Sequence, residues 1–180
     1  MTGNKFIPTI NISSLLKNNF NNRKTFNIIK KINKASIDVG FFQITGHGIS
    51  KKDIRNISKV GNIFFNSSDS NKMKLASKKW NKSNKNIYRG YFPSDVNGKE
   101  GLDIGDLKVT KKYASKLNNQ YIEYLDLNKS LSNKAIEILN NYYSKIFDLG
   151  EILFKSIIKI YNLDIKKSKI AFKRQKTLST

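Results

Sequence analysis

The stretch that decides the fold is Gly40–Ser50, which reads GFFQITGHGIS. Its first part, Phe41–Thr45, is a run of aromatic and branched residues between glycines, which is typical of a buried β-strand. Its second part holds His47, the only histidine of the chain, between Gly46 and Gly48. A histidine at the end of a strand is a candidate metal ligand or catalytic base.

Helical periodicity flanks the quoted stretch on both sides. Upstream, apolar residues recur at helical spacing over 23–39, and Gly40 follows where a helix C-cap is expected. Downstream, Ser50 and Asp53 form a start similar to a capping box for a helix that runs to about Phe65. The apolar positions are Phe26, Ile29, Ile32, Ala35 and Val39 in the first helix and Ile54, Ile57, Gly61 and Phe64 in the second.

Three shorter patterns lie outside this region. FIPTINI, residues 6–12, is a β-type run with Pro8 near its start, where a missing N–H group is tolerated. Ser68 or Asp69 caps a further short helix. The segment 88–110 combines glycines and a proline with aromatic and acidic residues, and it predicts an ordered loop or hairpin.

A long amphipathic helix is predicted from about Ser132 to about Asn162. Its apolar residues alternate by threes and fours, with Lys and Asn largely on the opposite face. A helix of this kind more often packs on a core than on a membrane surface or in a coiled coil. The stripe consists of Ile136, Leu139, Tyr143, Ile146, Gly150, Leu153, Ile157 and Ile160.

These elements predict a mixed α+β fold of short strands, flanking helices and one long helix. A chain of 180 residues with 38% hydrophobic and 11% aromatic residues has the composition of a globular protein. We find no internal repeat and no linker, and therefore expect a single domain over residues 1–180. Because the sequence shows neither a signal peptide nor a long apolar run, we expect a cytoplasmic protein without a membrane segment.

The net charge of +21 raises the question of nucleic-acid binding, since phosphate neutralisation dominates such affinity. The basic residues are nearly all lysines, and they are spread along the chain without a run of five or more. Arginine, which base and phosphate recognition favours, occurs only at Arg23, Arg55, Arg89 and Arg174. We therefore interpret the charge as a solvated surface and do not expect nucleic acid as a partner.

The residue inventory excludes most metal and catalytic sites. The chain has no cysteine and one histidine, so it lacks the ligands for a thiolate site, a two-histidine-one-carboxylate iron site or an HExxH zinc helix. A Ser-His-Asp arrangement through His47 lacks the GxSxG motif, and no phosphate-binding glycine motif is present. The preferred interpretation of His47 is a ring that hydrogen bonds to nearby backbone in a tight turn.

The loop DVNGKEGLDIGD contains four acidic residues and superficially resembles a calcium-binding loop. They are Asp95, Glu100, Asp103 and Asp106. Their spacing does not fit the EF-hand pattern, which needs another acid or amide before the glycine and a glutamate at the end. A polar turn is the better interpretation.

The order and spacing of several segments resemble the N-terminal region of the non-haem iron, 2-oxoglutarate-dependent dioxygenases of the isopenicillin-N-synthase-like group. The likeness extends from about Phe6 to the end of the chain, and its most specific part is GFFQITGHGI. After DLK, where that family often has an acidic residue, this chain has Val109. The segments are IPTINISSLL, ASIDVGFFQITGHGIS, IFFNSSDSNKMKLA, YRGYFP and DLK.

The resemblance implies a structural role for His47, Gly46 and Gly48. In that family the His-Gly-Ile segment looks structural, whereas a His-x-Asp motif and a distant histidine further on bind iron, and an Arg-x-Ser motif holds 2-oxoglutarate. None of these later motifs occurs in the 180 residues. The resemblance thus implies the N-terminal part of a double-stranded β-helix, or jelly-roll, oxygenase whose catalytic core is absent, with no catalytic or metal-binding residue in this chain.

The same resemblance implies the activity of the complete protein. It would oxidise a small organic substrate with Fe(II) and 2-oxoglutarate, and the missing C-terminal catalytic half would be the partner of this region. The chain alone is expected to be inactive and to hold no cofactor, which leaves open whether it counts as an enzyme. The alternative is a stand-alone basic binding or interaction protein, with nucleic acid or a separately encoded catalytic half as its partner.

One group of residues is a candidate for substrate contact. The resemblance implies that Tyr88, Arg89 and Tyr91 lie near the mouth of the missing active site, where aromatic and cationic side chains contact substrate. On sequence grounds a second interpretation is favoured, in which the rings pack in the fold and Arg89 pairs with a nearby acid.

Overall fold

The computed structural model describes residues 6–17, 22–94, 98–105 and 124–163, which contain four α-helices, two short 3₁₀ helices and four short strands. This content confirms the predicted mixture of α and β structure, while the relation to a jelly-roll stays a prediction. In chain order the elements are β1 (Thr9–Asn11), α1 (Arg23–Asp38), β2 (Gln43–Thr45), α2 (Lys51–Phe65), α3 (Asp69–Met73), β3 (Gly90–Phe92), β4 (Gly101–Asp103) and α4 (Asn133–Ile160).

The described residues form two compact units. Unit 1 contains the residues up to Ser50 and those from Lys145 onward, and unit 2 contains the residues from Lys51 to Ser144. Helix α4 therefore contributes its first part to unit 2 and its second part to unit 1. The organisation as a single domain over 1–180 stays a prediction.

Unit 1 is built on the parallel pair β1–β2, in which Ile10 lies opposite Ile44. Parallel strands need a crossover connection, which α1 provides. The first turn of α1 is capped by Asn22, whose Oδ1 accepts a hydrogen bond from the backbone N–H of Lys24 at 2.8 Å. The buried core of this unit consists of Ile10, Ile12, Leu15, Ile29, Ile32, Ala35 and Leu149.

The strand in the quoted stretch is shorter and more exposed than predicted. It covers Gln43–Thr45, and its burial is intermediate at Ile44 only. The expectation of a buried strand is wrong for this segment, because only one face of the two-stranded pair packs on the core, through Phe42 and Ile44. Phe41 is 71% exposed.

Unit 2 is built from α2, α3, the β3–β4 hairpin and the first part of α4. The hairpin is antiparallel and pairs Tyr91 with Leu102, which confirms the predicted loop or hairpin for the described part of 88–110. The α3 helix begins after Ser68, whose hydroxyl accepts a hydrogen bond from the backbone N–H of Asn71. Its buried core consists of Phe64, Leu75, Ala76, Tyr91, Leu127 and Leu131.

Gly90 lies where the hairpin passes closest to the segment after α3. Its φ angle is +116°, a conformation that L side chains rarely adopt, and a Cβ atom there would overlap the carbonyl oxygen of Leu75. The next residue, Tyr91, donates its backbone N–H to the same oxygen at 2.9 Å. Only glycine allows this backbone contact.

The long helix α4 confirms the predicted element but not the whole predicted stripe. Leu149, Ser156 and Ile158 are its fully buried residues, whereas Ile146 and Ile157 are 42% and 43% exposed. Four residues of the predicted stripe, Ile136, Leu139, Leu153 and Ile160, do pack against the cores of their units, so the stripe is confirmed in part. Within the residues described, every helix is too short or too polar to cross a membrane.

Candidate functional site

His47 makes a local hydrogen bond in the turn after β2. Its ring Nδ1 accepts from the backbone N–H of Ile49 at 3.2 Å. The flanking Gly46 and Gly48 have φ angles of +64° and +78°, and a Cβ atom on Gly48 would lie 3.2 Å from Leu16 Cδ1. The structural role of these three residues stays a prediction, and this geometry is consistent with it.

Replacing His47 by asparagine is expected to preserve stability better than replacing it by alanine. Asn11 and Asn22 already accept hydrogen bonds from the backbone N–H two residues on, as His47 does. His47→Ala removes the acceptor and should lower the free energy of unfolding by about 1 kcal/mol, and His47→Asn should restore most of it. Urea denaturation of both variants measures this difference, and equal losses would argue against the local bond.

A connected group of polar side chains in unit 2 lies between α3 and the hairpin. We call Asp69, Lys72, Tyr91 and Glu100 the Lys72 cluster. The Lys72 ammonium is 2.9 Å from Glu100 Oε2 and 3.1 Å from Asp69 Oδ1, and the Tyr91 hydroxyl donates to Glu100 Oε2 at 2.6 Å. The side chain of Lys72 is only 9% exposed. These ion pairs and hydrogen bonds therefore connect the hairpin with α3.

Three members of the cluster, Lys72, Tyr91 and Glu100, have pKa values shifted by their neighbours. The pKa of Glu100 is lowered, mainly by the hydrogen bond from the Tyr91 hydroxyl and secondly by the bond from the Lys72 ammonium. The hydrogen bond to Glu100, and after it the bond to Asp69, raise the pKa of Lys72. Burial, and after it the bond to Glu100, raise the pKa of Tyr91. Near neutral pH the cluster thus combines a charged lysine, a charged glutamate and a neutral tyrosine.

Stability that depends on the cluster is expected to be lost at both extremes of pH. The pKa of Glu100 is lower in the folded state than its ordinary value of 4.5. Its interactions therefore stabilise the fold above pH 4.5, and this stability is lost as the pH falls through the pKa of the folded state. The pKa of Tyr91 is higher in the folded state than its ordinary value of 10.0. Its interactions therefore stabilise the fold below pH 10.0, and this stability is lost as the pH rises through the pKa of the folded state. Thermal melts across pH should show a plateau between about pH 5 and pH 9.

Glu100→Gln should flatten the acid side of this profile, because the substituted side chain no longer titrates. Glu137→Gln, an exposed change on the first part of α4, serves as the matched control and should leave the acid side unchanged. If both variants gave the same profile, the acid loss would arise from other carboxylates.

An open cleft of about 600 Å³ lies beside the cluster. The cationic group in its wall is already occupied, because Lys72 bonds to Glu100, Asp69 and the carbonyl oxygen of Phe65. The cleft therefore does not offer a free cation to an anionic ligand such as 2-oxoglutarate. Its lining consists of Asp69, Lys72, Met73, Tyr91, Pro93, Ser94, Gly98 and Glu100.

The three predicted substrate-contact residues lie in different surroundings. Tyr91 is 3% exposed and lines the cleft, whereas Tyr88 is 48% exposed. Arg89 is half-buried beside Gly105, where a Cβ atom would lie 3.4 Å from its Nε. The packed ring of Tyr91 agrees with the interpretation that the sequence favours, and the role of the three residues in substrate contact stays a prediction.

Sequence reasoning missed the Lys72 cluster. Asp69 and Lys72 are three residues apart at a helix start, which is a common pattern, and Glu100 falls within the predicted polar turn. Glu100 lies 28 residues from Lys72 along the chain. No spacing rule connects residues this far apart, so only the fold reveals the contact.

Comparison with known proteins gives a family match over most of the chain. Residues 7–145 match the family model described as the N-terminal region of the non-haem dioxygenase in morphine synthesis. The chain is 33% identical over 98 residues to isopenicillin N synthase of Streptomyces jumonjinensis, which is 54% of this chain and 28% of that protein.

Two further relatives are similar over shorter segments. A 2-oxoglutarate-dependent dioxygenase of Talaromyces stipitatus is 30% identical over 92 residues, which is 51% of this chain and 27% of the relative. A flavonol synthase/flavanone 3-hydroxylase of Solanum tuberosum is 32% identical over 74 residues, which is 41% of this chain and 21% of the relative. The matched region thus spans less than a third of the length of each of these relatives.

Proposed function

The chain belongs to the family of non-haem dioxygenase N-terminal regions, and on this premise we propose that it is the supporting part of an Fe(II)- and 2-oxoglutarate-dependent oxygenase. The observation that carries the proposal is the family match over residues 7–145, which includes both the β1–β2 pair and the hairpin. The complete protein would oxidise a small organic substrate, as the names of its relatives suggest.

The described residues do not fit an iron site. In ranges 6–17, 22–94, 98–105 and 124–163, no group of three or more His, Cys, Asp or Glu side chains is placed to hold a metal ion. The one histidine of the sequence uses its Nδ1 as a backbone acceptor. We therefore assign the iron and 2-oxoglutarate ligands to residues outside this sequence, in a C-terminal catalytic half that acts as its partner.

Three finer assignments complete the proposal. Tyr88, Arg89 and Tyr91 lie near the substrate entrance of the complete protein, where Arg89→Ala should raise the KM for substrate more than it lowers kcat. The protein works in the cytoplasm. Fractionation of cells that express the complete protein tests this assignment.

Nucleic acid is not a partner of the protein. We therefore expect no binding to an oligonucleotide at physiological salt.

The purified chain of 180 residues is expected to bind no Fe(II) at a specific site and to consume no 2-oxoglutarate. The reason is that a two-histidine-one-carboxylate site needs one more histidine than the sequence contains. Anaerobic titration with Fe(II), followed by metal analysis after desalting, measures this, and His47→Ala serves as the control. Stoichiometric iron that disappears in His47→Ala would contradict the proposal.

The genomic sequence tests the assignment of the catalytic half directly. The DNA that follows the codon for Thr180 is translated in all three frames. The proposal expects an in-family continuation with a His-x-Asp motif in one frame. If no frame and no neighbouring gene encoded such a segment, the alternative of a stand-alone interaction protein would replace the proposal.

A further inference from the structure

The outward face of α2 carries a concentrated group of cations. Lys51, Lys52, Arg55 and Lys59 are all exposed. At about 100° per residue, the four side chains fall within an arc of about 100° around the helix axis. The one acid of the helix, Asp53, is half-buried and lies on the other half of the helix. We call these four cations the α2 basic face.

Part of the positive charge on the other helices is already engaged by neighbouring side chains. On α1, Lys34 pairs with Asp38 at 2.7 Å, and Lys30 lies 4.7 Å from the centre of the Phe26 ring. On α4, Lys155 pairs with Glu151 at 3.7 Å. In the part of the chain that the structure describes, none of the four α2 cations forms an ion pair. The four like charges repel one another along the helix.

An apolar side chain extends the same face toward the end of the helix. Ile63 is 70% exposed and lies about 20° around the helix from Lys52. Lys51, Arg55 and Lys59 follow one another at four-residue intervals, which places them about 6 Å apart along the axis. The face thus presents a row of positive charges beside one exposed hydrophobic side chain.

We propose that the α2 basic face, together with Ile63, binds an acidic polypeptide segment. Such a segment would present carboxylates about one helical turn apart and one apolar side chain against Ile63. This complementarity relieves the repulsion among the cations and removes Ile63 from water. The proposal is independent of the oxygenase assignment, because it concerns the surface of α2 alone.

Two other partners fit this face less well. A nucleic acid would neutralise the cations, but phosphates make no use of Ile63, and the face contains a single arginine for bidentate contacts. An anionic membrane requires a broad apolar face beneath the charges, whereas this arc has one exposed apolar residue. A carboxylate-rich polypeptide uses both the charges and the isoleucine.

The test measures peptide binding by the full chain with fluorescence anisotropy. The probe is a labelled helical peptide of about 20 residues with glutamates four apart and one central leucine, in a buffer of about 0.15 M salt. A second peptide replaces the leucine by serine, and a labelled single-stranded oligo-dT of the same length tests nucleic acid.

Two triple variants remove equal charge from different helices. The first variant alters the α2 basic face and carries Lys52→Gln, Arg55→Gln and Lys59→Gln. The matched control alters exposed positions of α1 and carries Arg23→Gln, Lys24→Gln and Lys31→Gln. We expect the α2 triple to weaken peptide binding by about tenfold or more and the α1 triple by less than about twofold. Circular dichroism melts confirm that both variants fold.

A single variant tests the apolar contact. Ile63→Ser should weaken binding of the leucine peptide by about fivefold and leave binding of the serine peptide unchanged. Equal losses in the two triple variants would overturn the proposal in favour of a general charge effect. Tighter binding of oligo-dT than of peptide, lost in the α2 triple and unaffected by Ile63→Ser, would overturn it in favour of nucleic acid. Absence of peptide binding would also overturn it.

Discussion

Gly90→Ala is expected to destabilise unit 2 by about 3–5 kcal/mol, which is large for a single added methyl group. Two costs add at this position. The φ angle of +116° is unfavourable for any residue with a Cβ atom, and the new methyl group would overlap the carbonyl oxygen of Leu75. Relief of the overlap requires the hairpin to move away, which breaks the bond from the Tyr91 N–H to the same oxygen.

The single tryptophan reports on this unfolding. Trp80 packs edge-on against Phe92 of the hairpin at 5.4 Å, so its fluorescence during urea denaturation follows the unit that is perturbed. Gly101→Ala is the matched control, since it lies in the same hairpin, opposite Phe92, with open space where its Cβ atom would lie. The control should change stability by less than about 0.5 kcal/mol. Similar losses in both variants would show that the hairpin tolerates no substitution, whatever its backbone angle.

Phe64→Ala is expected to cost about 3–5 kcal/mol, because it leaves a cavity in the core of unit 2. Phe64 is 2% exposed and makes edge-on contacts with Phe65 at 5.2 Å and Tyr91 at 5.9 Å. Urea denaturation monitored by Trp80 measures the loss. Phe64→Leu should retain part of the packing and lose less.

The neighbouring residue provides the control for this substitution. Ile63 is 70% exposed, so Ile63→Ala in the same helix should alter stability by less than about 0.5 kcal/mol. A loss at Phe64 as small as the loss at Ile63 would contradict the core assignment.

The helices of this chain were predictable from the sequence, because their main determinants are local. The predicted helix over 23–39 is observed as Arg23–Asp38, and the long predicted helix is observed as Asn133–Ile160. Spacing of apolar residues and capping side chains act within a few positions of one another. The β3–β4 hairpin was predictable for the same reason, since its two strands are close in sequence.

Burial was less predictable than helix position. Phe26 and Ile54 belong to predicted apolar stripes, yet they are 40% and 42% exposed, whereas the polar Thr25 is 2% exposed. Periodicity indicates that a face exists, but the elements that pack on it decide where its centre lies. The Lys72 cluster is a stronger case, because its members meet only after α3 and the hairpin have formed.

The core of unit 1 joins residues from distant parts of the chain, and this has a consequence for biosynthesis. Ile10 and Ile12 pack in the same cluster as Leu149, although about a hundred residues separate Leu149 from the β2 strand. A ribosome adds about 5–20 residues per second, so the nascent strands wait about 5–20 s for the segment that closes their core. During that interval their apolar side chains are open to chaperones and proteases, and the late emergence of one helix turn sets the time at which the N-terminal segment becomes protected.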